Sequence, residues 1–255
     1  MGVMKNDIPI LEYDTDPLAV IMPDHEHIKI QLPKKAVFAF LGDAVDRYAK
    51  EHYATIMCHF ISATKKYPVY ILDVDEQQIC LMQAPVGAAA AVQILDWLIA
   101  YGVREIISCG SCGVLVDMDE NLFLIPYKAL RDEGTSYHYL PPERFVEMSD
   151  KARFAIAKTL NNHNINYSEV ITWSTDGFYR ETKEKINYRK SEGCSVVEME
   201  CSALAACAQL RGVVWGELLF TADTLADAEH YDERNWGGES VKYAMELCIE
   251  AVLNI

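Results

Sequence analysis

The stretch SCGSCGVLV, Ser108 to Val116, sets Cys109 and Cys112 three residues apart among small neighbours. That spacing serves three chemistries: a redox dithiol, half of a metal site, or a small-residue segment that wraps an anion. A zinc ribbon needs a second such pair. The chain has none, since Cys194 and Cys201 are seven apart and Cys201 and Cys207 six. A dithiol is normally activated at a helix start, where the dipole lowers the thiol pKa, whereas Gly110 and Gly113 are expected to end a strand and permit a tight turn. Small residues let backbone N–H groups approach a ligand closely, and Ser111 adds a hydroxyl donor. The segment reads best as an anion cradle. Three other stretches place polar groups at the ends of apolar runs, namely FLGDAVDR (40–47), VEMEC (197–201) and FTADTL (220–225). Of these, the EME carboxylates Glu198 and Glu200 are either solvated acids or acceptors for paired hydroxyls, a role that suits a carboxylate.

The elements that must position these groups alternate. Short runs rich in Val, Ile and Phe predict strands over 36–42, 69–74, 79–84, 105–110, 122–127, 169–174, 195–200 and 213–222. Amphipathic segments predict helices over 86–101, 143–161, 180–190, 201–210 and 237–253. This is the pattern of an α/β fold built on a central sheet, in which ligands bind beyond the carboxyl ends of strands. Four chemically unusual strand ends either converge on one crevice or are four unrelated turns.

No repeat, low-complexity stretch or linker divides the 255 residues, which is the size of one α/β domain. Thirty-eight acidic against 23 basic residues give a formal charge of −15, a surface that repels nucleic acid and anionic membranes, so any anion site must be local. The most apolar segment, Val86 to Ala100, carries Gln93 and Asp96 and is too short to span a bilayer. The first residues lack the basic start and continuous apolar run of a signal peptide, and the dispersed cysteines suit a reducing compartment, so a cytoplasmic location is expected.

Two longer segments carry a family resemblance. GSCGVLVDMDENLFLIPYKALRDEGTSYHYLP (110–141) resembles the phosphate-binding loop and following strand of the nucleoside phosphorylase superfamily. VVEMECSALAACAQLRGVVWGELLFTAD (196–223) resembles its ribose- and base-binding region, and FAFLGDAVDRYAKEHY (38–53) its opening strand and Gly-Asp loop. The resemblance runs from about residue 35 to the C-terminus and is closest to the hexameric purine branch. It implies a single-domain, three-layer α/β/α fold with a mixed, partly barrel-like central sheet over 35–255, preceded by an N-terminal extension over 1–34.

The resemblance further implies cleavage of an N-glycosidic bond through an oxocarbenium-like transition state, with phosphate attacking C1′ and the base leaving. Gly42, Arg47, Gly110 and Ser111 then hold phosphate. Glu200 takes the ribose hydroxyls, Glu198 and Met199 lie beside it, and Phe178 stacks on the base. Asp223 protonates a purine leaving group, with Arg234 as its partner. His27 or His25 reaches the ribose 5′-hydroxyl of a neighbouring subunit, and Lys66 or Lys65 adds a phosphate contact. No metal or organic cofactor is implied. The partners are a small nucleoside and inorganic phosphate as co-substrate, within a homo-oligomer.

Two departures bear on the reaction. The family loop Gly-Asp-Pro-x-Arg is here GDAVDR, and Ser108 stands where relatives place a phosphate-binding arginine. The leading expectation is a purine nucleoside phosphorylase. The alternatives are a nucleosidase, with Asp43 or Asp46 activating water, a uridine phosphorylase, a nucleoside-binding protein without catalysis, and last a thiol oxidoreductase.

Overall fold

The computed structural model describes residues 2–255. Ten strands form one mixed sheet: β1 (Lys35–Ala39), β2 (Thr55–Ile61), β3 (Lys66–Val74), β4 (Gln77–Gln83), β5 (Glu105–Val114), β6 (Phe123–Asp132), β7 (Phe145–Glu147), β8 (Tyr167–Thr175), β9 (Cys194–Glu198) and β10 (Val214–Thr224). Six helices flank it: α1 (Asp43–Glu51), α2 (Ala88–Ala100), α3 (Asp150–Asn162), α4 (Lys183–Ser191), α5 (Cys201–Arg211) and α6 (Ser240–Leu253). The strand alternation assigns the layers. Ala36, Phe38, Cys80, Met82 and Ile106 pack with α2 and α5. Their in-between neighbours Val37, Ala39, Ile79, Leu81 and Ile107 pack on the opposite face with residues of α1, α3 and α6. Both faces are therefore buried, which is why these strands read as continuous apolar runs. No described helix is long and apolar enough to cross a membrane.

Strand β5 organises the sheet. Its first half runs parallel to β1, from Lys35 opposite Glu105 to Ala39 opposite Cys109. Its last residues, Gly113 and Val114, pair antiparallel with Val197 and Val196 of β9. Along the other edge β10 accompanies it from Glu105 to Val114. Because β10 also pairs with β6, β6 with β8, and β8 with β9, these five strands close into a barrel, while β1, β4, β3 and β2 form an open wing. The sheet forks where β5 exchanges β1 for β9, at Gly110 to Cys112.

The single-domain, three-layer fold with a partly barrel-like sheet agrees with expectation. The expected tight turn at the glycines does not form: β5 runs straight through them, and neither Gly110 nor Gly113 has a positive φ. Their smallness serves close packing instead. A Cβ on Gly110 would lie 3.1 Å from the Phe40 Cβ, and one on Gly113 would lie 3.0 Å from Leu225, 3.1 Å from Val197 and 3.2 Å from the Asp223 carboxylate. The helix expected over 143–161 begins only at Asp150, because Phe145–Glu147 is captured as an edge strand on β6.

Candidate active site

A cavity opens at the fork, at the carboxyl ends of β1, β5, β9 and β10, so the expected strand ends converge, although Gly42 and the rest of its loop stand outside the lining. One wall is Gly110, Ser111, Cys112 and Gly113 of β5. On the edge facing the cavity Gly110–Cys112 has no strand partner among the described residues, which leaves its backbone groups for a ligand. Met199 and Glu200, at the junction of β9 and α5, also line the cavity, as do Phe178, Glu181, Asp223 and Trp236.

Glu198 and Glu200 do different work. Glu198 is buried and accepts four hydrogen bonds, from Thr172 Oγ1 at 3.0 Å, Ser174 Oγ at 2.6 Å, and the backbone N–H groups of Glu200 and Cys201, each at 2.6 Å. It satisfies the free donors at the start of α5, a helix closed at its other end by Gly212 in the left-handed region. Its oxygens are thus committed to the protein, and it positions its neighbour. Glu200, 7% exposed, faces the cavity and accepts one bond from the Gly87 N–H at the start of α2. Burial, reinforced by the Glu198 charge, pushes its pKa up to about 8. Half-buried Met199 lies beside it.

Phe178, 44% exposed, lines the cavity, and its ring meets Tyr179 edge-on at 5.0 Å. Asp223 is buried, and burial raises its pKa against the lowering effect of its own N–H, the Tyr231 hydroxyl and Arg234. The expected Asp223–Arg234 pair is not made: Arg234 donates to the carbonyls of Met118 at 2.8 Å and Ala222 at 3.4 Å. Arg234 acts on Asp223 only through its charge. Glu181, unforeseen in the sequence, has its pKa raised to about 7 by burial and then by the Asp223 charge.

The expected anion-binding cations are elsewhere. Arg47 is exposed on α1 and makes no hydrogen bond or ion pair among the described residues, Lys66 is exposed at the start of β3, and Lys65 bonds Gln83 at 2.9 Å. Gly42, with φ +54°, precedes α1. None of these lines the cavity, and neither do Asp43 and Asp46, the latter bonded to the Tyr70 hydroxyl at 2.9 Å. His27 is exposed with φ +50°, and His25 lies against α2 in a separate cavity with Trp97 and Asp96. Ser108 is fully buried, its hydroxyl accepting from Trp215 Nε1 at 3.0 Å. The lining of this cavity thus holds five carboxyl groups, Glu181, Glu198, Glu200, Glu217 and Asp223, and among the described residues no lysine, arginine or histidine.

A dithiol is also absent as a functional unit. Cys109 and Cys112 are both buried, and the Cys112 thiol is held far above its ordinary pKa by burial and the surrounding carboxyl groups.

The model of the phosphorylase superfamily matches residues 34–254. The chain belongs to the phosphorylase superfamily. Within that superfamily it is 23% identical over 199 residues to a guanosine phosphorylase of Halorubrum lacusprofundi, covering 76% of this chain and 82% of the relative. Among solved structures it superposes on the purine nucleoside phosphorylase of Toxoplasma gondii with a TM-score of 0.72 at 18% identity, over 87% of this chain and 90% of the other. It superposes on the AMP nucleosidase of Bacteroides thetaiotaomicron with a TM-score of 0.70 at 22% identity, over 87% and 88%. The same fold is thus shared by a protein named as a phosphorylase and one named as a nucleosidase.

Proposed function

We propose that this member of the phosphorylase superfamily cleaves the N-glycosidic bond of a purine nucleoside. The observation that carries the reading is the placing of two buried carboxyl groups, Glu200 and Asp223, in the lining of one cavity together with Met199 and Phe178. Glu200 is suited to accept two ribose hydroxyls and fix C1′ over the β5 backbone. Asp223, its pKa raised by burial, is suited to hand a proton to N7 of the leaving purine, and the Phe178 ring supplies a face on which the base stacks.

Two readings of the acceptor remain. Phosphate is supported by the likeness to phosphorylases and by the cavity-facing edge of Gly110–Cys112, which has no strand partner among the described residues. Water is supported by the lining itself, in which a phosphate dianion meets no lysine, arginine or histidine among the described residues. Release of base from inosine, adenosine, guanosine and uridine, with and without phosphate, tests both. Purine release is expected, and Asp223→Ala is expected to lower it by about 10² to 10⁴, the range for lost acid–base assistance. Equal turnover of the variant removes Asp223 from the chemistry.

A further inference from the structure

Glu217 lies on β10 in the middle of the apolar run WGELLF, in register with Ser108 of β5. It is 3% exposed, yet it lines the cavity, and its Oε2 has no hydrogen-bond partner. A buried carboxyl oxygen without a partner is destabilising, more so if charged, so its presence in the lining asks for a partner from the cavity. Its surroundings select that partner. Glu198, Glu200 and the Cys201 thiol are its polar neighbours, and the family's arginine position beside it is Ser108, already bonded to Trp215. A phosphate dianion put there would face a carboxyl in place of a guanidinium. Water, which both donates and accepts, suits a lone carboxyl oxygen in a small polar recess.

We propose that Glu217 is the general base of a hydrolytic reaction, taking a proton from the water that attacks C1′. This deepens the nucleoside-cleaving reading and rests on it. In the reaction the water oxygen forms the new bond to C1′ as the C1′–N bond breaks. The bonding pair leaves with the base, which receives the Asp223 proton, and the water proton passes to Glu217. Solvent returns a proton to Asp223 and removes one from Glu217, so the products are free base and free ribose with nothing else consumed. The other candidate carboxylates are engaged or placed elsewhere: Glu198 holds α5, Glu200 is assigned to ribose, Asp223 is the proton donor, Glu181 lies close enough to Asp223 to feel its charge, on the side assigned to the base, and Asp43 and Asp46 lie outside the cavity.

The test follows the wild-type products from guanosine or adenosine in ¹⁸O-labelled water, with and without phosphate. Base release at the same rate in both, with one labelled oxygen on the ribose C1, is the expected result. Release confined to phosphate-containing buffer, with ribose 1-phosphate formed, overturns the role of Glu217 and leaves the nucleoside reading intact. No release from any nucleoside overturns both. The isosteric Glu217→Gln is expected to bind nucleoside and to lose about 10² to 10⁴ in kcat, and a wild-type rate from it sinks the proposal. Because Gln can disturb a buried site, Glu217→Ala is assayed with added formate, which enters the space vacated by the side chain. Restoration of turnover by formate supports a proton-accepting role, and a folded, nucleoside-binding Glu217→Ala that formate does not restore shows that Glu217 only holds structure.

Discussion

Each carboxyl of the site is set by what reaches its oxygens. Glu198 has four protein donors, Glu200 one and a Glu217 oxygen none, and this gradient runs from structural support to open reactivity. Glu200 makes the consequence measurable. Its pKa moves from an ordinary 4.5 to about 8 on folding, so between those values the folded chain holds a proton that the unfolded chain releases. The stabilisation is complete below about pH 4.5 and is lost as pH rises through about 8. Replacing Glu200 by Gln removes this dependence. The melting temperature of Glu200→Gln relative to wild type is expected to climb steadily from pH 5 to pH 8, and a difference that stays flat over that range assigns the pH dependence to another group.

At the scale of elements, β5 carries the site by changing partners. Most strands and helices could be read from apolar periodicity, and all four chemically unusual strand ends reach the cavity, FLGDAVDR through Phe40 alone. The exchange of β1 for β9 was not legible, because it depends on pairing between strands far apart in sequence, Ala39 with Cys109 and Gly113 with Val197, and a glycine serving close packing looks the same as one serving a turn. Strand β2 and helix α1 were also missed: β2 is an exposed edge with a weak alternation, and α1 begins inside what read as a loop. Glu217 did leave a signal, a single acid inside an apolar run, but only the register with Ser108 gives it a meaning. Tyr231 and Trp236 sit in an irregular segment without periodicity. The packing at Gly113 yields a prediction of its own. A methyl there presses on Asp223, Val197 and Leu225, so Gly113→Ala is expected to fold and to lower kcat by up to about 10², the effect of a reacting group displaced by an ångström. Unaltered kinetics would mean that Asp223 tolerates displacement and is not the proton donor.

The whole molecule adds a field to these local effects. With a formal charge of −15 and no lysine, arginine or histidine among the described residues lining the cavity, the approach to the site is disfavoured for anions over a distance of about a Debye length. The 23 basic residues do not offset this at the site, since Arg47, Lys65 and Lys66 all stand outside the lining. Arg211, another of them, is tied to Asp96 at 2.7 Å.

That cation-free lining has a consequence for competition among metabolites. A nucleoside and its 5′-monophosphate share base and sugar and differ by about two negative charges at neutral pH, so carboxyl walls distinguish them without touching either recognition element. The specificity constant for a purine nucleoside is expected to exceed that for its 5′-monophosphate by at least about tenfold, equivalent to about 1.4 kcal/mol, and the ratio is expected to shrink as salt is raised. Comparing guanosine with its monophosphate at two ionic strengths checks this. In a mixture where phosphorylated nucleotides greatly outnumber free nucleosides, such a site stays unoccupied by the majority and works on the minority.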